Sequence, residues 1–527
     1  MSRATAMTSP RLIVGNRGAN RSAPLPLFDT EATRHLEHAT QAKLPPHTLM
    51  QRAGLSTAKL AMALAPHANT FWIACGPGNN GGDGLEAAIH LKQWGKSPVV
   101  TWLGTPGKAP ADAAMSYQRA LDAGVAFADV PPAEFDFCID ALLGIGASST
   151  SPPREIEGRM AAWIAQINAS PSPVLAVDLP TGLNADTGNA STLCVRASAT
   201  LNLVTLKPGL FTAYGRDACG EIWLDTLGAQ DTRATDAPTA WLAGAPVSQA
   251  RDHASHKGSF GDVLVVGGAP GMTGAALLAA TAALHSGAGR VFVMLLDGSS
   301  IAVDLQHPEL MFRPFDDLHF ADQFNTDFLR MTVVCGCGGG AAVQAPLATI
   351  LASNAHAVFD ADALNAIAAD KALGVLLCAR AARGLQTVLT PHPLEAARLL
   401  TTTTQTIQQN RLKAAQTLVH RFNCIVVLKG SGTVIAAPGQ MPVINPTGNA
   451  FLATAGTGDV LAGMVGARLA DLAGLERPSI AMKATDSAAF QAACDAVYRH
   501  GEAADRWPAH RALTASRLAR ALYPAAG

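Results

Sequence analysis

The chain has 527 residues, with 39 basic against 40 acidic side chains. That length calls for two or more domains with ample core, and the near-zero net charge, with no basic face in the sequence, argues against nucleic acid or an anionic membrane as partner. Nine cysteines at irregular spacing read as reduced thiols of a cytoplasmic protein, not as a disulfide framework.

Residues 1–25 lack the apolar core of a signal peptide and read as a flexible tail. From residue 26 the pattern of an α/β domain begins. "TFWIACG" (70–76), "PVVTWLG" (98–104), "FDFCIDALLG" (135–144), "VLAVDLPTG" (174–182) and "ATLNLVTLKPG" (199–209) read as strands, and 84–95, 109–123 and 156–168 fit helices between them. Strands separated by helices predict βαβ units and a mostly parallel sheet. After residue 228 the pattern breaks: 229–255 is polar, rich in alanine and proline and aperiodic, as a linker would be.

A second alternation fills 256–527. It opens with "GDVLVVGGAPG" (261–271) and continues through "RVFVMLLD", "MTVVCGCGGG", "HAVFDADAL", "LQTVLTPHP" and "CIVVLKGSGTVI", with helices fitting 273–286, 343–353, 394–400 and 406–421. The longest apolar stretch, "GAALLAATAALHSGAG", falls short of the roughly 20 apolar residues that a membrane span needs. The halves share a class but no repeat, so two different α/β domains are expected.

Chemistry in the first half gathers at predicted strand ends. "CGPGNNGGDGLEAAIHL" (75–91) joins a strand to a helix, but its glycines at 76, 78, 81, 82 and 84 depart from G-x-G-x-x-G. Two asparagines and Asp83 place oxygens in the turn, suited to a hard cation or to ribose and amide hydrogen bonding. "CIDALLGIGASST" (138–150) ends a second strand with Asp140, "VDLPTGLNADTG" (177–188) a third with Asp178 and Thr181, and Lys207 closes a fourth. Each residue alone is as readily a cap or turn former. Together they bring Asn80, Asp140 and Thr181 to one sheet edge as oxygen donors and leave Asp178 and Lys207 for proton transfer.

In the second half, "TGNAFLATAGTGDV" (447–460) is a glycine-rich turn that opens a helix and carries one carboxylate, Asp459. Unpaired N–H groups and the helix dipole make such a turn an anion hole for a phosphoryl group. A carboxylate there repels phosphate but is placed to take a proton from an attacking hydroxyl; the alternative is an aspartate stabilised by the dipole. "LKGSGTVI" (428–435) sets Lys429 and Thr433 toward phosphates without being a P-loop. In "FDADALN" (359–365) a carboxylate either holds Mg²⁺ through water or, as Asp360, caps the next helix. His392, between two prolines, is either structural or a substrate wall. Cys335 and Cys337, the close thiol pair, lack the further ligands of a zinc site.

These motifs carry two resemblances. "HKGSFGDVLVVGGAPGMTGAALLAATAALHSGAG", "DADALN", "TPHPLEAARLL", "KGSGTVI" and "GNAFLATAGTGDVLAGMVGA" resemble the ADP/ATP-dependent NAD(P)H-hydrate dehydratases over about 256–520. The resemblance implies a ribokinase-like fold, with the nucleotide along Lys429, Gly430, Ser431, Gly432, Thr433 and Gly458. It implies the hydrated cofactor near Ala275, Gly338, His392 and Asp459, Mg²⁺ as metal, and a reaction in which a nucleotide phosphorylates the 6-hydroxyl before phosphate leaves. ADP, giving AMP and phosphate, is the co-substrate it implies for a fused bacterial-type member, with ATP as the other choice. Gly336-Cys337-Gly338-Gly339-Gly340 departs from the family's G-P-G-x-G, and Ala455 stands where glycine is commoner.

"NNGGDG", "DALLGIG" and "VDLPTG" in turn resemble the NAD(P)H-hydrate epimerases over about 26–228. This implies a Rossmann-like three-layer fold and K⁺ on Asn80, Asp140 and Thr181. It places the substrate against Asn79, Asn80, Gly81, Gly82 and Asp83 and along Gly144, Ile145, Gly146, Ala147, Ser148, Ser149 and Thr150, with Asp178 as the acid/base group. Thr181 replaces the usual serine and Gln51 a frequent acid. The fusion resembles the bifunctional NAD(P)H-hydrate repair enzymes, which epimerise R and S forms and dehydrate the S form. That implies NADHX or NADPHX with an adenine nucleotide as ligands and a homo-oligomer as the assembly. The competing expectation is a vitamin-type hydroxyl kinase joined to a cofactor-binding module.

Overall fold

The computed structural model describes residues 9–14, 23–147, 155–229, 237–247, 251–298, 301–316, 331–474 and 486–522. The chain divides into two compact units that part between Trp241 and Leu242, with the residues before Pro26 shared between them. Both are α/β, each built on a mixed sheet.

The first unit holds β1 (Arg11–Val14), β2 (Thr70–Cys75), β3 (Ser97–Trp102), β4 (Ala126–Phe127), β5 (Phe137–Ala141), β6 (Val174–Val177), β7 (Ala199–Leu203) and β8 (Glu221–Asp225). They lie in the order β1-β8-β7-β6-β5-β2-β3-β4. All neighbours are parallel except β1 and β8, where Arg11 faces Leu224 and Leu12 faces Trp223. Part of the expected tail, Arg11–Val14, is thus an edge strand; four residues are too few to show a period in the sequence. Alternation along the strands splits the core between two faces. Phe71, Ile73, Ile139 and Leu201 pack with helices Thr48–Leu64 and Asn79–Gln93, while Trp72, Ala74 and Cys138 pack with Gly158–Ala169. Helices on both faces make three layers. Each fully buried aliphatic or aromatic side chain contributes about 1.5–3 kcal/mol to that packing.

The second unit runs β9 (Asp262–Gly267), β10 (Arg290–Leu295), β11 (Met311–Phe312), β12 (Thr332–Cys335), β13 (His356–Phe359), β14 (Thr387–Leu389), β15 (Ile425–Leu428), β16 (Val434–Ala436) and β17 (Val443–Ile444). Their order is β11-β10-β9-β12-β13-β14-β15-β16-β17, parallel up to β15 and antiparallel after it. Val263, Val265, Val334 and Val358 form one core with helices Thr273–His285, Thr457–Gly474 and Asp486–Asp505. Leu264, Val333 and Phe359 are buried on the other face. The expected linker contains a strand of its own, Ala240–Leu242, and the single helix expected over 406–421 is two, Thr404–Gln409 and Arg411–Phe422.

In both sheets the strand order reverses once, between β2 and β5 and between β9 and β12. Open α/β sheets bind ligands in the crevice outside the strand C-termini at such a switch point. "NNGGDG" and "DALLGIG" flank the first of these and "VVGGAPG" and "VVCGCGGG" the second, while "VDLPTG", "DADALN" and "KGSGTVI" follow strands farther along each sheet.

Candidate active sites

In the first unit β2 delivers "GPGNNGGDG" to its switch point. The turn is closed so tightly that a Cβ on Gly76 would lie 1.7 Å from the carbonyl oxygen of Leu142, and one on Gly81 would lie 2.1 Å from the oxygen of Gly76. The helix begins at Asn79. Across the crevice, β5 ends at Ala141, and Ile145–Ala147 forms a short 3-10 turn. Ser148, Ser149 and Thr150 lie outside the described residues. A Cβ on Gly144 would meet Asn80 Oδ1 at 3.1 Å and Asp178 Oδ2 at 3.2 Å, so Asn80, Gly144 and Asp178 share one spot.

Asp178 follows β6 with φ +65°, in the left-handed region that costs a non-glycine residue about 1 kcal/mol or more. A three-residue turn, Leu179 N–H to Val177 C=O at 2.8 Å, forces this. The strained backbone turns the carboxylate inward. Oδ1 accepts from Lys207 Nζ, Oδ2 accepts from Ile145 N–H at 3.2 Å, and Lys207, fully buried, also donates to Leu203 C=O at 2.9 Å. The structure therefore brings together the two groups read as proton carriers. Val204 has the same φ of +65° within a second such turn, Thr205 N–H to Leu203 C=O at 2.7 Å, and this β-branched outlier lines the adjoining cleft.

Asp140 and Thr181 also meet. Oδ2 of Asp140 accepts from Thr181 N–H at 2.8 Å, and Oδ1 accepts from Thr181 Oγ1 at 2.7 Å and from Leu142 N–H at 3.2 Å. Burial raises the Asp140 carboxyl to about 6 against these hydrogen bonds, and among the described residues no basic side chain acts on it. Asn80 Nδ2 is buried without a hydrogen-bond partner among the described residues. Turning the amide about its last bond places an oxygen there, as a cation would require. A buried carboxylate with no basic partner among the described residues, a hydroxyl and a reversible amide fit a monovalent cation.

Beside this site an open cleft of about 420 Å³ is lined by Glu37, Gln41, Asn79, Asp83, Asp112 and Leu203 among others. Asp83 is raised well above the usual carboxylate range by burial, then by Asp178 and Glu37. Glu37, raised to about 7 by burial and by Asp178, was absent from the sequence reading.

In the second unit the Thr457–Gly474 helix carries Asp459 in its first turn. Burial, then Asp360, raises the Asp459 carboxyl to about 6, while the Cys337 thiol and Lys429 oppose this. Lys429, at the end of β15, donates to Asp360 Oδ1 at 2.6 Å. Gly458 is close to both, since its Cβ would lie 3.3 Å from Lys429 Nζ and 3.9 Å from Asp360 Oδ2. The turn Lys429–Thr433 between β15 and β16 rests on Arg411, buried beneath it, which donates to Leu428 C=O and Lys429 C=O, both at 3.1 Å. Ala275 and Gly338 adjoin, a Gly338 Cβ falling 2.8 Å from that of Ala275.

The structure decides some open alternatives. Asp360 occupies the N-cap position of Ala361–Ala369 without a side-chain cap bond, so its carboxylate serves Lys429 instead. Asp362 Oδ2 accepts from Gly340 N–H at 2.8 Å. His392 caps Pro393–Leu400: Nδ1 accepts from Leu394 and Glu395 N–H at 3.1 and 3.3 Å, and Glu395 Oε2 accepts from His392 N–H at 2.7 Å. This capping box holds the ring half-exposed at the rim. Glu395, which burial raises to about 7 despite Lys429, and Arg411 were missed in the sequence. The H-P-L-E spacing of a capping box was the available signal for Glu395. The sulfur of Cys337 and a carboxylate oxygen each of Asp360 and Asp459 lie within 4.8 Å of one another. No helix among the described residues is long and apolar enough to cross a membrane.

Two family models match the chain: one described as YjeF-related protein N-terminus over 46–209, the other as NAD(P)H-hydrate dehydratase over 263–524. The bifunctional NAD(P)H-hydrate repair enzyme Nnr of Escherichia coli (strain K12) is 33% identical over 484 residues, covering 87% of this chain and 85% of that one. Its counterpart in Moorella thermoacetica is 34% identical over 523 residues, covering 91% and 92%. A solved ADP/ATP-dependent NAD(P)H-hydrate dehydratase from Bacillus subtilis, co-crystallized with ATP and Mg²⁺, is similar at 28% identity with TM-score 0.40, covering 52% of this chain and 91% of that one. The chain belongs to the bifunctional NAD(P)H-hydrate repair enzymes.

Proposed function

We propose that the first unit interconverts the R and S epimers of NAD(P)HX and that the second dehydrates the S epimer with a nucleotide, ADP in preference to ATP. The observation that carries this reading is the pair of built proton-transfer sites, Asp178 on Lys207 and Asp459 beside Lys429–Asp360, each at the C-terminal ends of its own sheet's parallel strands.

In the second site Asp459 takes the proton of the 6-hydroxyl as its oxygen attacks the terminal phosphoryl group. Lys429 and the N–H groups of the turns at Gly430–Thr433 and Gly458 hold the phosphates, and Ala275, Gly338 and His392 wall the nicotinamide. Mg²⁺ bound through water to Asp360, whose carboxylate borders the turn, would neutralise phosphate charge. Phosphorylation converts hydroxide into a good leaving group, and loss of phosphate with a ring proton restores the C=C bond.

In the first site Asn79–Asp83 and Gly144–Ala147 border the substrate, and Asp178, to which Lys207 donates, is the acid/base group at the hydrated carbon. K⁺ on Asn80, Asp140 and Thr181 would compensate the buried charge and fix the two loops. Nine free cysteines support a reducing compartment such as the cytoplasm.

The test is stoichiometry. One phosphate and one AMP per NAD(P)H formed supports the dehydratase, whereas a stable phosphorylated product would support a hydroxyl kinase.

A further inference from the structure

Inversion at the hydrated carbon moves two protons. The carbon carries a hydroxyl and a bond to the ring nitrogen. When the hydroxyl oxygen accepts a proton, the C–O bond breaks, water leaves, and the nitrogen lone pair forms C=N⁺. Water then adds to the other face, the lone pair returns to nitrogen, and the added water loses a proton. Water lost equals water gained and nothing is oxidised, but one group must give a proton and another must take one. Asp178 is arranged to take it: both its oxygens already accept, from Lys207 Nζ and from Ile145 N–H. It is not arranged to give.

We infer that Glu37 is the proton donor of the epimerase site, working as the partner of Asp178. This rests on the epimerase reading proposed above. Glu37 belongs to helix Thr30–Gln41 and opens into the same cleft as Asn79 and Asp83 of the glycine turn. Leu203, in the wall of that cleft, is the residue whose carbonyl holds Lys207. Val204, like Asp178 a residue at φ +65°, also lines that cleft. Glu37 makes no hydrogen bond among the described residues that would hold it ionised, and burial followed by the charge of Asp178 raises it to about 7, against Lys207 and Arg34. The other charged groups facing it are Asp83 and, across the cleft, Asp112. Two carboxyl groups in one site, one paired with a lysine and one raised by burial to about 7, divide the roles of base and acid. After one turnover Glu37 is ionised and Asp178 protonated, and both reset through solvent in the open cleft.

The test uses the full chain with K⁺ present and nucleotide withheld, so that the dehydratase does not drain the S epimer. R/S interconversion of NADHX is followed by chromatography for the parent, Glu37→Gln and Asp178→Asn, with NADHX binding measured separately. The inference expects Glu37→Gln to slow interconversion by about 100-fold or more, to leave binding within about threefold, and to remove a loss of rate that the parent shows as pH rises through about 7. Interconversion near the parent rate in Glu37→Gln, with Asp178→Asn inactive, overturns the role of Glu37 alone. Both variants near the parent rate overturn the epimerase reading of this site as well. Binding lost in proportion to rate makes Glu37 a binding residue and overturns the inference.

Discussion

Thr181 grips both oxygens of Asp140, its backbone N–H donating to Oδ2 at 2.8 Å and its hydroxyl to Oδ1 at 2.7 Å. The grip ties the loop after β6 to the end of β5 while leaving a buried carboxylate without a basic partner among the described residues. The cost of that burial is what a bound cation would offset.

Potassium should therefore stabilise the first unit. Replacing Li⁺ by K⁺ at constant ionic strength should raise its melting temperature, the added stability being about 2.7 kcal/mol at a hundredfold excess over Kd. Differential scanning calorimetry of the parent and Asp140→Asn measures this. An equal shift in the variant would remove Asp140 from the cation site.

Asp178 and Lys207 are a buried pair, so truncation and neutralisation should differ. Lys207→Ala leaves Asp178 unpaired and should cost about 3–5 kcal/mol in unit stability. Asp178→Asn keeps a hydrogen-bond acceptor for Lys207 and should lose epimer exchange by a factor of about 10²–10⁴ with a smaller stability change. Dehydration of pure S epimer should persist in Asp178→Asn. Loss of both activities together would argue against two separate centres.

Asp459 must be ionised to take a proton, and its carboxyl is raised to about 6 by burial and Asp360. The rate of S-epimer dehydration should thus fall as pH drops through about 6. Asp459→Asn should lower it by about 10²–10⁴ at neutral pH, with epimer exchange unaffected. Because the Cys337 thiol opposes the upward shift, Cys337→Ala should move the acid limb to higher pH and Cys337→Ser should move it back. A limb unmoved by either substitution would separate Cys337 from Asp459.

Arg411 carries the phosphate turn from below. Its loss removes two hydrogen bonds from a charged donor to Leu428 and Lys429, each worth about 1.5–3 kcal/mol. Arg411→Ala should raise KM for the nucleotide more than it lowers kcat, measured by steady-state kinetics. An unchanged KM would show that the turn keeps its shape without the arginine.

What the sequence disclosed follows from what is local. Alternating apolar runs and glycine turns located the central strands and placed Asn80, Asp140, Asp178, Thr181, Lys207 and Lys429 at or just after their ends, and the turn "AGTGD" placed Asp459 at a helix start. Glu37 and Arg411 reach their sites from helices with no motif; only the tertiary fold shows which face of Thr30–Gln41 meets the cleft. His392 was legible as a residue at the strand edge but not as a cap, since its ring takes the place usually held by serine or aspartate. Arg11–Val14 gains its conformation by pairing with β8, a partner about two hundred residues away in a contact that local propensity does not encode.

The most direct measurement follows absorbance at 340 nm when the full chain meets both epimers of NADHX with Mg²⁺, K⁺ and either ADP or ATP. The account predicts recovery of the whole epimer mixture, faster than spontaneous epimerisation permits and faster with ADP than with ATP. Recovery of the S fraction alone would contradict an active epimerase in the first unit, and no recovery with either nucleotide would contradict the dehydratase.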